Sequence, residues 1–306
     1  MNTQKNIYFA AIAVCTLPFI DTPIALLLGI VLAQTVQHPF PKFSKKAIHV
    51  LLQISVVGLG FGMNAWQALD AGKQGLLFTI ISIASTMILG IFIGKRLQVD
   101  KNTSYLISTG TAICGGSAIA AVSPIIKPSE KQISTALGTV FILNSVALFL
   151  FPWIGHSLHL TQHQFGVWAA IAIHDTSSVV GAASKYGAEA LQVATTIKLE
   201  RALWIIPITF LTMFLFKSES KKVVIPYFIF LFVVAMLLNT FIPAIHPVSL
   251  IIVLLSKIGL KITLFLIGTG LTRNLIVSVG VKPIIQGILL WTFISVLSLT
   301  FIVHFV

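Results

Sequence analysis

Small and hydroxyl-bearing residues interrupt the apolar stretch 103–126 near its middle, where the sequence reads Cys114-Gly115-Gly116-Ser117. Where the backbone is not helical at membrane depth, its N–H and C=O groups have no partner within the helix. Lipid cannot bind them, so they must face protein or water. A helix that begins again near Ser117 would direct its free N–H groups and its positive end at whatever occupies that space. Close packing of small residues between helices is the alternative. We predict that these four residues, Cys114, Gly115, Gly116 and Ser117, bind a substrate.

A second apolar stretch, 163–185, carries an ionisable pair followed by hydroxyl groups, in the order His174-Asp175-Thr176-Ser177-Ser178. Ionisable side chains inside an apolar segment are costly and usually functional. Asp175 could cap the helix that follows it, bind a proton or cation, or do both. A capping aspartate beside a satisfied core histidine is the alternative. We predict ion coupling by Asp175 and His174, and substrate binding by the hydroxyl residues Thr176, Ser177 and Ser178.

A third cluster places charges before a short apolar stretch. The residues Lys198-Leu199-Glu200-Arg201 precede 202–216, which as a helix spans only about 22 Å of the roughly 30 Å of hydrocarbon. Glu200 and Arg201 are therefore expected inside the hydrocarbon layer or at its edge. The planar guanidinium of Arg201 suits an oxyanion, so we predict that it binds substrate and that Glu200 and Lys198 take part in ion coupling. The alternatives are an ion pair of Arg201 with Glu200 or Asp175, and a Lys198 that reaches the membrane interface.

Asn144 is a weaker candidate for the same cavity, because a hydrogen bond between helices would also explain an asparagine in the middle of the apolar stretch 129–152. The two cysteines lie in apolar segments and the histidine spacing fits no standard metal motif. The sequence therefore predicts no catalytic residue, no metal site and no cofactor.

The composition identifies the environment in which these residues lie. The 306 residues are 57% hydrophobic and only 9% charged, whereas a soluble domain carries about 25% charged residues. The 20 basic and 8 acidic residues give a net charge of +12, with the basic residues concentrated in short loops. This pattern indicates cytoplasmic loops at 38–46, 95–102 and 217–222 rather than a nucleic-acid partner, and it places the N-terminus in the cytoplasm.

Apolar stretches of membrane-crossing length recur along the chain. The expected spans are 6–20, 23–37, 45–64, 72–94, 129–152, 188–216, 223–241, 250–272 and 281–305. With the two interrupted stretches, this predicts an all-α polytopic membrane protein with about 9–11 transmembrane segments in one domain, 1–306.

The sequence also repeats itself weakly. The stretch 43–94 resembles 255–305, and 109–122 resembles 169–182. If both interrupted stretches crossed the membrane, the first resemblance would relate segments that run in opposite directions, whereas the second would relate segments that run in the same direction. One symmetry operation cannot do both. Re-entrant hairpins remove this conflict, and we favour them over broken crossing helices. The pattern predicts an inverted-repeat secondary transporter with two discontinuous helices at the membrane midplane.

The chain resembles the YeiH-like sulfate exporter family over nearly its whole length. The most specific matching stretches are Gly110–Pro124, Phe165–Trp168 leading to Ile173–Thr176, and Lys198-Leu199 with Arg201. The resemblance implies a multi-pass carrier of the bacterial inner membrane, distantly related to the cation/proton antiporter and anion transporter superfamily.

Two positions depart from the pattern of that family. Ser177-Ser178 stand where Ala-Gln is more usual, and Glu200 stands where a threonine is more usual. An extra carboxylate beside Arg201 could neutralise the charge that would hold an anion, which would suit a neutral or zwitterionic solute.

These features together predict a secondary active transporter and not an enzyme. The expected substrate is a small oxyanion such as sulfate or a related sulfur compound, moved by ion-coupled alternating access. A membrane-embedded enzyme that uses His174 and Asp175, or a passive channel, are the alternatives. The expected partners are the solute and the lipid bilayer, with no nucleic acid, and the sequence leaves a homodimer open.

Overall fold

The computed structural model describes residues 2–17, 20–36, 39–216 and 227–305, which form α-helices and no strand. The helices are α1 (Asn2–Cys15), α2 (Thr22–Thr35), α3 (Pro41–Gly60), α4 (Ala65–Arg96), α5 (Lys101–Ala112), α6 (Gly116–Ile126), α7 (Glu130–Ser157), α8 (Gln162–Ala172), α9 (Thr176–Tyr186), α10 (Ala188–Leu203), α11 (Ile205–Leu215), α12 (Tyr227–Phe241), α13 (His246–Gly270), α14 (Arg273–Val279) and α15 (Val281–Phe305), with a 3₁₀ turn at Pro243–Ile245.

Four helical stretches among the described residues are long and apolar enough to cross a membrane. They are Phe78–Arg96, Glu130–Ser157, Pro243–Gly270 and Val281–His304. Each overlaps a span expected from the sequence, and shorter apolar helices such as Tyr227–Phe241 accompany them. The helix content and the four long apolar helices therefore confirm the prediction of an all-helical polytopic membrane protein.

Some boundaries differ from the expectation. The span predicted at 188–216 is two helices that meet at Trp204. Pro207 has no N–H to donate to the carbonyl of Leu203, so a regular helix cannot run through this point. Helix α3 begins at Pro41, inside the predicted loop 38–46, and proline is favoured in the first helical turn. The predicted loop 217–222 and the beginning of the span 223–241 lie outside the described residues.

The helices form two compact units. The first unit comprises Met1–Asp70 and Tyr227–Arg273, which contain α1–α3, α12 and α13. Its centre is the crossing of α2 with α13 at Gly29 and Gly268. A Cβ atom on Gly29 would overlap the carbonyl oxygen of Phe265 and would lie 3.0 Å from the Cα atom of Gly268. Only glycine permits two helix backbones to approach this closely.

The second unit comprises Ala71–Pro226 and Asn274–Val306. Helix α7 is central to it and packs against α5, α6, α9 and α15. Aromatic rings join three of its helices, because Phe151 on α7 stacks on Trp168 of α8 at 4.4 Å and on Trp291 of α15 at 5.7 Å between ring centroids. All of the predicted site residues lie in this unit.

Candidate functional site

The first break in the second unit lies between α5 and α6, and its residues Ile113–Gly115 are called the first tip. Gly115 has φ +64° and ψ −125°, a conformation that a residue with a Cβ rarely adopts. Helix α6 then begins without a capping side chain. The N–H groups of Gly116 and Ser117 in its first turn therefore have no acceptor within the helix. Ser117 is exposed, whereas Cys114 is buried.

The second break lies between α8 and α9, and its residues Ile173–Asp175 are called the second tip. Unlike α6, helix α9 has a side-chain cap. The Oδ2 atom of Asp175 accepts hydrogen bonds from the backbone N–H groups of Ser177 at 3.0 Å and Ser178 at 3.4 Å. The hydroxyl of Ser177 donates to the same oxygen. The first turn of α9 is thus already satisfied by a carboxylate of the chain itself.

The two tips lie against each other. A Cβ atom built on Gly115 would be 3.4 Å from both the Cα and the Cβ atom of Asp175. The second tip is also bound to α7, where the Oδ1 atom of Asn144 accepts hydrogen bonds from the backbone N–H groups of His174 at 3.1 Å and Asp175 at 3.3 Å. Asn144 therefore positions the second tip, a more specific role than the hydrogen bond between helices that the sequence favoured.

Lys198 links the two tips. Its ammonium donates to the carbonyl oxygen of Ile113 in the first tip at 3.1 Å and to that of Ile173 in the second tip at 2.7 Å. A third bond goes to Ala170 in the last turn of α8 at 3.2 Å. The residue is 0% exposed, so it does not reach the membrane interface. Carbonyl groups at helix C-termini carry partial negative charge, which compensates the buried cation.

Arg201 lies three residues further along α10, on the same face as Lys198. Its guanidinium donates to the carbonyl oxygen of Ala112 at 2.5 Å and to the hydroxyl of Ser82 on α4 at 2.8 Å. Its Nε atom is buried and has no hydrogen-bond partner. The sequence did not single out Ser82, because it is one of several hydroxyl residues in α4, with Thr79, Ser85 and Thr86.

The ion pairs considered for Arg201 do not form. Among the described residues, His163 and Glu189 form an ion pair, whereas neither Glu200 nor Asp175 is close enough to the guanidinium of Arg201 to pair with it. Both carboxylate oxygens of Glu200 are shielded from solvent and lack a hydrogen-bond partner. The positive charge of Arg201 is therefore held by a carbonyl and a hydroxyl group, and no carboxylate neutralises it by direct contact.

Several polar atoms around the tips remain unused. The Oγ1 atom of Thr111, the Nδ2 atom of Asn144 and both ring nitrogens of His174 are buried without a hydrogen-bond partner. Such atoms are costly unless a ligand or water satisfies them. Together with the N–H groups of Gly116 and Ser117 and the Nε–H group of Arg201, they leave several donors in this region without an acceptor. The arrangement suits a ligand that accepts hydrogen bonds.

The fold and the site define a class, the polytopic helical membrane proteins with ionisable groups buried among broken helices.

Comparison with known proteins then gives the family. The profile described as "Conserved hypothetical protein 698" matches residues 7–287. A UPF0324 membrane protein of Bacteroides thetaiotaomicron is 55% identical over 93% of this chain and 87% of its own length. A UPF0324 membrane protein of Vibrio parahaemolyticus is 48% identical over 99% of both chains. No solved structure matches the chain. The protein belongs to the UPF0324 family of membrane proteins.

Proposed function

We propose that the protein is a secondary active transporter of a small oxyanion, which binds where the first tip meets the second tip. The observation that carries this proposal is the meeting of two helix breaks beside Asn144, halfway along α7 (Glu130–Ser157), with Lys198 hydrogen-bonded to both. Helices that are interrupted at a shared polar site near the bilayer midplane are characteristic of secondary transporters.

The contacts of the first helix pair, α5 and α6, support a re-entrant hairpin. Asp100 caps the beginning of α5, and its carboxylate also accepts a hydrogen bond at 2.7 Å from Gln132 in the first turn of α7. The chain therefore returns after α6 to the level at which α5 began. In agreement with this, a Cβ atom on Gly110 of α5 would lie 3.0 Å from Cδ1 of Ile119 on α6.

The second helix pair, α8 and α9, has the same kind of contacts. Gln162 at the beginning of α8 accepts the backbone N–H of Glu189, at the beginning of α10, at 3.1 Å. The rings of Phe165 on α8 and Tyr186 at the end of α9 stack at 3.8 Å. The hydroxyl of Tyr186 donates to the carbonyl of Leu160, just after α7, at 2.7 Å.

These contacts support opposite directions of the two helix pairs relative to α7. The open end of the first pair lies at the beginning of α7, and the open end of the second pair lies at its end. We therefore propose two re-entrant hairpins that enter the membrane from opposite sides and meet near the midplane. The weak resemblance between 109–122 and 169–182 then reflects an inverted repeat.

The unused donors favour an oxyanion. The proposed ligand accepts hydrogen bonds from the first turn of α6 and the Ser117 hydroxyl, with Lys198 and Arg201 supplying positive charge nearby. The first turn of α9 contributes less than the sequence suggested, because Asp175 already occupies it. Sulfate is the specific candidate, from the resemblance to the YeiH-like exporters.

We assign ion coupling to Asp175. Protonation of its carboxylate would weaken the three hydrogen bonds that it accepts in the second tip. It would also increase the net positive charge around the tips, so proton binding and anion binding would favour each other. The buried carboxylate of Glu200 is a second candidate on the same helix as Lys198.

The enzyme and channel alternatives have less support. In the described part of the chain His174 makes no side-chain hydrogen bond, while Asp175 is bonded to Ser177. A nucleophilic relay needs the histidine between the carboxylate and the hydroxyl. A passive channel needs an open path, whereas the two tips are buried against each other.

The test is sulfate uptake by purified protein in liposomes with an imposed pH gradient. Gradient-driven uptake is expected. Arg201→Gln should raise the half-saturating sulfate concentration about ten- to a hundredfold, because a charge-assisted contact is lost. The Asp175→Asn variant should bind sulfate, but its uptake should no longer depend on pH.

Arg273→Gln, at an exposed arginine of the first unit, is the matched control and should behave as wild type. No uptake of any tested oxyanion, or an Arg201→Gln variant with unchanged affinity and unchanged thermal unfolding, would overturn the proposal.

A further inference from the structure

We infer that the second unit has a binding site for the headgroup of an acidic phospholipid, in a cavity between the end of α4, the beginning of α5 and the end of α11. The cavity has a volume of about 480 Å³. Its walls include Ile91, Val99, Leu215 and Phe216, and two lysines, Lys95 and Lys101, also line it. It is separate from the tips and does not depend on the proposed transport function.

The position of the cavity along α4 corresponds to a membrane interface. The stretch Phe78–Arg96, which is long and apolar enough to cross a membrane, ends here, and Lys95 and Arg96 lie in the last turn of the helix. Ile91 lies one turn before Lys95 on the same face. A ligand in the cavity would therefore meet apolar side chains on the hydrocarbon side and ammonium groups at headgroup level, which is the amphipathic pattern of a phospholipid.

The charges in the cavity are available to an anion. Lys95 and Lys101 are exposed, and neither forms an ion pair with a carboxylate of the described residues. The neighbouring carboxylate of Asp100 is engaged by Thr103 and Gln132. Lys101 lies 4.9 Å from the centroid of the Phe216 ring, a cation–π contact that holds the ammonium group at the cavity wall.

The predominance of apolar walls distinguishes a lipid from a soluble anion. A free phosphate ion would use the two lysines but would leave Ile91 and Leu215, both exposed, uncovered. A phospholipid would satisfy both parts, since its phosphate contacts the lysines while its first methylene groups cover the apolar side chains.

The experiment is native mass spectrometry of the full chain in detergent with added lipid. Phosphatidylglycerol is compared with phosphatidylcholine of the same acyl chains, and inorganic phosphate and glycerol phosphate serve as soluble competitors. Wild-type protein should retain phosphatidylglycerol in preference to phosphatidylcholine. Lys95→Gln/Lys101→Gln should reduce that preference by about twenty-five-fold, about fivefold for each lysine.

The matched control is Lys127→Gln/Lys131→Gln. These two exposed lysines lie near the beginning of α7 and outside the cavity lining, and their removal changes the net charge by the same amount. This variant should keep the preference. Equal retention of the two lipids by wild type, or equal losses in both double variants, would refute a specific site. Displacement of phosphatidylglycerol by millimolar inorganic phosphate would show an anion site and would refute the assignment to a lipid.

Discussion

At the residue scale, the candidate site shows how a membrane protein can bury a cation without a carboxylate partner. Lys198 donates to three carbonyl oxygens, two of them in the tips of different helix pairs. Removing it would leave those buried oxygens unsatisfied. Its first role is therefore to hold the two tips together.

The corresponding prediction concerns Lys198→Met, which keeps the length of the side chain and removes its donors. We expect destabilisation of about 1–3 kcal/mol, because buried carbonyl oxygens lose their donor, and loss of transport. Thermal unfolding in detergent measures the effect. Lys257→Met, at an exposed lysine of the first unit, is the control. Equal unfolding temperatures for the two variants would show that the hydrogen bonds of Lys198 contribute little.

A second prediction compares two adjacent glycines in chemically identical substitutions. Gly115→Ala places a Cβ on a residue at φ +64° and should cost about 1–3 kcal/mol. At Gly116 a Cβ would meet only Leu137 and Phe141 side chains, at 3.4 Å, so Gly116→Ala should cost less than 1 kcal/mol, about the size of an ordinary surface change. Chemical unfolding monitored by tryptophan fluorescence gives both values. A larger loss for Gly116→Ala would contradict the described first tip.

The sequence indicated these residues because burial of charge and loss of helix at membrane depth are both costly. That argument pointed to Asp175, Arg201 and the Gly115-Gly116 pair. The same argument could not identify the hydrogen-bond partners of the buried side chains. Lys198 reaches a carbonyl 85 residues away, and Arg201 reaches a hydroxyl 119 residues away. Such contacts depend on which helices meet, and local sequence does not specify that.

At the element scale, the sequence located one helix start closely and missed one interruption. The first break lies at 113–115, just before the predicted restart near Ser117, because the Gly pair marks it. The interruption of the span 188–216 at Trp204 was missed, although Pro207 was a local signal for it.

The topology of the elements gives a third prediction. If the hairpins open on opposite sides, the two ends of α7 lie on opposite sides as well, and its 28 residues span about 42 Å as a helix. Cysteines introduced at Lys101 and at His156, both exposed, should react with a membrane-impermeant maleimide from opposite sides of sealed vesicles. The native Cys15 and Cys114 are buried, so wild-type protein serves as the blank. Reaction of both sites from one side would exclude this topology.

At the scale of the whole molecule, the chain enters each unit twice. The first unit is built from the beginning of the chain and from Tyr227–Arg273, and the second from Ala71–Pro226 and Asn274–Val306. The resembling stretches 43–94 and 255–305 each begin in the first unit and end in the second. Alternating access in many carriers is a movement of one helix bundle relative to another. In this protein all candidate site residues lie in the second unit. A transporter whose site lies within one of two helix bundles would suit such a movement.

The central claim is that the meeting point of the two tips is a transport site open to each side of the membrane in turn. Ser117 tests it most directly, because it is the exposed residue in the first turn of α6. Ser117→Cys in oriented liposomes should react with an impermeant methanethiosulfonate from either side, and sulfate should slow both reactions. Reaction from one side only, at a rate that sulfate and the pH gradient do not change, would contradict an alternating-access site at this position.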